Sequence, residues 1–312
     1  MSEGAVGGAD AAGVGSAREN SIRGIGFFLA AMTVFALQDG LSAYLASQYA
    51  PIFVVMIRYW ALAALVLAIS ARRPGGLRAA ARTRRPLLQI LRGLLLAAEI
   101  TLTIFIFAEL GLAASHAIMA VYPLLVAAMA WAFLGERLDA VRWGAIGLGF
   151  LGVLVILRPG LEAIDPLALG ALLGAAMFAL YAILTRVASR DDPASVSFFY
   201  TGVAGAVGAS LIGPFYAEPI ALRDWPLMGA LCLSGALCHF LLIKAYEATE
   251  AARLQPYAYW QLALATLIGV FAFGEPLLFW TVLGAGLIVL GGLIGAAQER
   301  RALRRDAGCG GV

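Results

Sequence analysis

Gln89, Arg92, Glu99 and Thr103 recur at three- and four-residue steps through an otherwise apolar stretch, with Leu96 filling the middle step. Helical spacing puts them on one face, and Arg92 and Glu99 then stand about 10 Å apart along it. Opposite charges so spaced suit different parts of one polar ligand. Glu99 falls near the middle of the stretch, where a carboxyl in lipid marks a substrate or proton site, or else a glutamate paired with a neighbouring helix. Gln38, Asp39 and Ser42 gather near the far end of the first apolar stretch, and Arg58 lies at similar depth in the second. An unpaired charge there is costly, so an Asp39–Arg58 ion pair is expected, as a structural or gating element rather than a ligand contact.

The segment "QPYAYWQ" from Gln255 to Gln261 supplies a third polar group. Tyr257 and Gln261 share a helical face, Trp260 fits an interfacial aromatic belt, and Tyr259 suits either setting equally. His239 sits mid-stretch on one face with Tyr246. Such a lone histidine is more often a hydrogen-bonding group between helices than a proton carrier. His116 is expected near an outer end, meeting water, and Tyr181 and Thr185 form a weaker polar face. The candidate substrate-binding residues are therefore Glu99, Arg92, Thr103, Gln38, Tyr122, Tyr257, Tyr259, Gln261 and His239. No catalytic residue, metal site or cofactor is expected. Ser234 and His239, five apart, face different directions, which argues against hydrolytic chemistry. No phosphate-binding glycine loop appears, which argues against direct use of ATP.

The elements that must hold these groups are membrane helices. Of the 312 residues 62% are hydrophobic and only 13% charged, far from the balance of soluble domains. Apolar stretches at about 22–45, 52–71, 87–108, 113–134, 142–157, 167–188, 194–213, 226–247, 253–273 and 277–297 read as ten spans, leaving no room for a soluble domain. The net charge of +3 is too small to suggest nucleic acid as a partner. Its distribution is more telling: of 22 lysines and arginines, 18 fall on one side of a ten-span chain, two on the other and two within spans. The positive-inside rule then places both termini in the cytoplasm of a multi-pass protein of the cell inner membrane. Cys232 and Cys238, six apart in one helix, point to different faces, so no disulfide is expected.

Sliding the chain over itself by 139 positions superposes Gly135-Glu136-x-Leu138 on Gly274-Glu275-x-Leu277, Gly147-Leu148 on Gly286-Leu287, and Gly152 on Gly291. "AAMTVFAL" (30–37) likewise resembles "AAMFALYAIL" (175–184). Each half holds five spans, an odd number, so the second copy enters the membrane inverted. The same shift sets Gln261 on Tyr122, bringing polar groups of both halves toward a shared cavity. Glycines at 170/174 and 291/295 have spacings that permit close helix packing, within the chain or across a homodimer.

With these features the chain resembles the drug/metabolite transporter superfamily, and within it the EamA family of ten-helix carriers. The resemblance spans about 22–297 and rests on Tyr122-Pro123, on the Gly-Glu pairs closing the fourth and ninth spans, and on the glycine-rich fifth and tenth. Pro256 stands near the start of its span rather than opposite Pro123, leaving any shared kink of these spans open. The resemblance implies an all-α integral membrane fold of two inverted five-helix repeats, 22–157 and 167–297. A disordered cytoplasmic arm (1–21) and a cytoplasmic tail (298–312) flank them. It also implies a secondary transporter working by alternating access on a small polar metabolite. "FALQDGLSAYLA" (35–46) and "IRYW" (57–60) are most similar to bacterial riboflavin importers, and tyrosine and glutamine groups suit a flat ring with polar edges. Export of amino acids or S-adenosylmethionine-like metabolites is the alternative; an intramembrane enzyme or a channel is more remote.

Overall fold

In a computed structural model the chain is described over residues 6–136, 139–157 and 165–309. Arg137, Leu138 and Arg158, which enter the charge count or the repeat register above, lie outside them. Among the described residues all regular structure is helical: α1 (Val6–Ala46), α2 (Pro51–Ala71), α3 (Gly76–Ala80), α4 (Pro86–Leu110), α5 (Leu112–Met119), α6 (Tyr122–Leu134) and α7 (Ala140–Leu157). The second half contributes α8 (Pro166–Ala188), α9 (Ala194–Ser210), α10 (Trp225–Ala248), α11 (Ala251–Leu254), α12 (Tyr259–Phe273) and α13 (Phe279–Cys309). Prolines open α2, α4 and α8, where a missing N–H costs nothing. The Asp165 side chain caps α8 by accepting from the Leu167 N–H at 2.8 Å.

Among the described residues seven segments are long and apolar enough to cross a bilayer, the first being Ser21–Ala46 within α1. The apolar parts of α7 and α13 are shorter, and α9 has 17 residues; these complete ten spans. The fourth and ninth are each broken. In the fourth, α5 stops at Met119 and α6 restarts at Tyr122-Pro123, because proline brings no N–H and crowds the preceding turn. In the ninth, a 3-10 turn over Gln255–Ala258, containing Pro256, joins α11 to α12. Both repeats thus interrupt the same span, a few residues out of register with each other.

The helix contacts obey the repeat. Exchanging the first five spans for the last five turns α1 against α10 into α8 against α4, α1 against α12 into α8 against α6, and α2 against α10 into α9 against α4; all six pairs pack. The pairs α2–α9, α5–α12 and α7–α13 map onto themselves, and they pack too. Connections also sort to two faces. At one, Thr83 and Gln89 bond Asp192, the Ala194 N–H meets Glu247, and the Ala252 N–H meets Glu136. At the opposite face Tyr49 bonds Asp224, the Ala50 N–H meets Glu218, and the Leu112 N–H meets Glu275. Every second connection lies on the arginine-rich face, as ten alternating crossings require.

Small residues set the tightest contact. A methyl group on Gly152 would lie 2.5 Å from the Gly284 carbonyl oxygen, one on Gly284 2.5 Å from that of Gly152, and one on Gly291 2.6 Å from that of Ala145. Under the 139-residue shift the Gly152–Gly284 contact becomes Gly291–Ala145, so each is the other's repeat mate. Gly170 and Gly174 instead seat α8 on Ile106 and Thr103 of α4. Both sets of glycines thus serve interfaces within the chain, though Gly295 has nothing near it. Large apolar side chains such as Phe133, Phe150, Leu233 and Phe271 face outward, the profile of helices solvated by lipid tails.

Candidate functional site

Between the two halves lies a cavity partly open to its surroundings. Its polar wall is made of Gln38, Asp39 and Ser42 from α1, Arg58 from α2, Glu99 and Thr103 from α4, His116 from α5, His239 from α10 and Gln261 from α12. Phe35, Tyr122, Phe178 and Tyr259 supply an aromatic frame. Phe178 stands edge-on to both Phe35 and Tyr122, with ring centres 6.3 and 5.1 Å apart. The broken spans explain why so many polar groups reach this point. Unwinding near Tyr122 and Tyr259 turns side chains of both repeats inward, and irregular backbone is tolerated at depth where it lines a cavity.

The ion pair expected between Asp39 and Arg58 does not form among the described residues. Asp39 accepts from Gln261 Nε2 at 2.8 Å and lies 3.1 Å from His116 Nε2. His116 is therefore buried against Phe107 rather than meeting water. Arg58 turns the other way, its Nη2 3.0 Å from His239 Nε2. A guanidinium only donates, so that nitrogen must accept, which makes His239 a neutral ring carrying its proton on Nδ1. Nδ1 of His239, Oγ of Ser42 and the Tyr259 hydroxyl are buried without a partner among the described residues. Three hydrogen-bonding groups around one hollow are thus left unsatisfied.

Glu99 is 4% exposed and accepts from the Thr103 hydroxyl at 2.8 Å. Among the described residues no cationic group lies within ion-pair distance of it, and no carboxylate lies within that distance of Arg58. Arg92, expected on the same working face, is instead walled off. It is fully buried and donates to Gln89, Tyr181, Thr185, Thr201 and the Ser197 carbonyl, knitting α4 to α8 and α9. Its long side chain swings across the helix face, so sharing a stripe with Glu99 does not mean sharing a surface. Tyr257 also falls outside the cavity lining. It sits in the 3-10 turn, where about 120° per residue replaces 100° and undoes the shared face with Gln261. Tyr122 and Gln261, superposed by the repeat shift, do face one cavity, as do Gln38, Thr103, Tyr259 and His239. Trp260 is half-exposed and donates to Thr33.

Phe35 and Phe178 are aromatic lining residues not among those expected from the sequence, and His116, expected at an outer end, lines the cavity as well. The tripeptide Phe-Ala-Leu occurs at 35–37 and again at 178–180, a repeat mate that marks both rings. A second cavity, of about 50 Å³, lies toward the arginine-rich face between α6, α7, α11 and α13. Pro123 and Tyr259 line both, so the Tyr259 ring, held under Gly292, is the partition between them.

Comparison with known proteins gives this architecture a family. The model of the EamA-like transporter family matches residues 22–158 and 166–295. An S-adenosylmethionine uptake transporter of Rickettsia felis is 27% identical over 91% of this chain and 96% of its own. A riboflavin transporter of Vibrio cholerae is 27% identical over 93% and 98%. One crystal structure of a protein shares the fold with a TM-score of 0.66 at 18% identity, over 91% of this chain and 99% of its own.

Proposed function

Because the chain belongs to the EamA-like transporter family, we propose that it is a secondary carrier for a ring-bearing metabolite with an amino-acid end, moved across the cell inner membrane by alternating access. The observation that carries this reading is the coexistence in one cavity of Arg58 and Glu99, neither matched by an opposite charge within ion-pair distance among the described residues. A buried charge needs a partner. A zwitterionic ligand supplies both: its carboxylate to the Arg58 guanidinium, its ammonium or sulfonium to Glu99. The frame of Phe35, Tyr122, Phe178 and Tyr259 receives the ring and favours a cation beside it. S-adenosylmethionine has all of these features, and uptake of it is the activity in the names of several relatives. A neutral flavin, the ligand suggested by sequence alone, uses the aromatic frame and leaves both charges unmatched. It is the second reading, supported by that frame.

The cavity has a volume of only about 70 Å³, room for a few waters rather than a nucleoside. Loading therefore requires the two repeats, 22–157 and 167–297, to part on one side at a time. Uptake into proteoliposomes decides between the readings. Saturable S-adenosylmethionine uptake, competed by S-adenosylhomocysteine and lost in both Glu99→Gln and Arg58→Met, is expected. Saturable riboflavin uptake that survives Glu99→Gln, with no S-adenosylmethionine uptake, would replace this reading by the flavin one. Linear flux would make the protein a channel.

A further inference from the structure

The two Gly-Glu pairs do more than end helices. Gly135 and Gly274 adopt the same left-handed conformation, φ 70° and 68°, and close the same turn: the N–H of Glu136 bonds the Ala130 carbonyl, and that of Glu275 the Gly269 carbonyl. Each turn aims its glutamate at the other repeat. Glu275 takes the Leu112 N–H on Oε1 and the Ala113 N–H on Oε2, both at 2.7 Å, at the start of α5. Glu136 takes the Ala252 N–H on Oε2 at 3.2 Å, at the start of α11. Under the 139-residue shift 136 becomes 275 and 113 becomes 252, so the contacts are repeat mates on opposite membrane faces. Neither receiving helix has a side-chain cap of its own, since Gly111 and Glu250 stand at those positions without one. Their leading N–H groups depend on a partner from the other half.

We propose that Glu136 and Glu275 are the gate latches of the transport cycle, each holding one face shut and each released when that face opens. The proposal rests on alternating access as read above. Two halves that part at one face at a time must break one inter-repeat cap while keeping the other. The geometry already differs in that sense: Glu275 holds two N–H groups closely, whereas Glu136 holds the Ala252 N–H at 3.2 Å and the neighbouring Ala251 N–H more loosely. The Glu275 face is the tighter in this structure. Gly111, at φ 87°, lies against the Glu275 carboxyl, where a side chain would intrude.

The test reads opening rather than transport, so it stands whatever the substrate is. In a full-length background without native cysteines, a reporter is placed at Ser42→Cys, in the central cavity toward the Glu275 face, or at Ala127→Cys, in the second cavity. Reconstituted protein is then labelled with a membrane-impermeant maleimide from each side. Glu275→Gln is expected to speed Ser42→Cys labelling from its face at least fivefold and to slow Ala127→Cys labelling from the other. Glu136→Gln is expected to do the reverse, and the double variant to return toward the parent ratio. A glutamate with a merely structural role would shift both reporters the same way. Labelling within twofold of the parent in both single variants, or changes of the same sign, would overturn the proposal. So would loss of the folded, monodisperse protein in both, because each latch must be dispensable in one of the two open states.

Discussion

A carboxyl group inside a bilayer persists where a proton or a cation can meet it, and Glu99 has the Thr103 hydroxyl as its hydrogen-bonding partner. Glutamine keeps that acceptor and nearly the same shape. Glu99→Gln is therefore expected to keep the thermal midpoint in detergent within a few degrees while cutting uptake about 100-fold, measured side by side. Arg92 is the converse case. Replacing it strands five acceptor groups in α4, α8 and α9, so Arg92→Ala is expected to destabilise by about 3 kcal/mol. Arg92→Lys should fail as well, because one ammonium cannot match the guanidinium fork; unfolding curves check both. Outside the membrane, burial alone would raise the Asp192 carboxyl. Donors from Gln89, Thr83 and the Arg84 N–H outweigh that and hold it below the usual carboxylate range. A lowered folded value means its stabilisation is complete above the unfolded range, near about 4, and fades as pH drops through the folded one. The melting temperature should fall below about pH 4, and Asp192→Asn should flatten that limb. The polar stripe on α4 was readable from residue spacing. What spacing could not tell was that Glu99 faces a cavity while Arg92, seven positions away, is locked among three helices, since that depends on neighbours remote in the chain.

At the scale of elements, the ten spans and their glycine-rich members follow from hydropathy and from the 139-residue register. The breaks in the fourth and ninth spans do not. Pro123 signals one of them, but the 3-10 turn around Pro256 changes which tyrosine enters the cavity, and helical arithmetic points to Tyr257 where the structure uses Tyr259. The destination of the Gly-Glu pairs was equally hidden, because a turn seen in sequence shows where a chain stops and not what its side chain then reaches. Close packing of α7 on α13 gives this scale its prediction. Gly152→Ala and Gly284→Ala each force a methyl against a backbone carbonyl that cannot rotate away. Each is expected to cost about 1–3 kcal/mol, read as a lower thermal midpoint. Gly295→Ala, with nothing within 4 Å of the added methyl, serves as the neutral control. Equal midpoints for all three would mean that these helices are not in contact in the membrane.

For the whole molecule, an even number of crossings puts both termini on one face, and the arginine distribution chooses which. The connections between α2 and α4, α8 and α9, and α10 and α11 meet one another through Asp192, Glu247 and Arg186, so the basic loops form a single surface rather than scattered patches. Placing that surface outside would require carrying most of the chain's positive charge across the membrane against the inside-negative potential. Cytoplasmic termini are therefore the expectation, with the turn around Gly213–Tyr216 on the far side. The expectation is checked by phosphatase fusions in a bacterial host. A periplasmic reporter joined after Ala217 should be active, joined after Ala81 inactive, and joined at the C-terminus inactive, whereas a fluorescent protein at that end should glow. An active phosphatase at the C-terminus with an inactive one after Ala217 would turn the molecule over and exchange which glutamate guards the cytoplasm. Activity at Ala81 and Ala217 alike would break the alternation of crossings on which the inverted repeat depends.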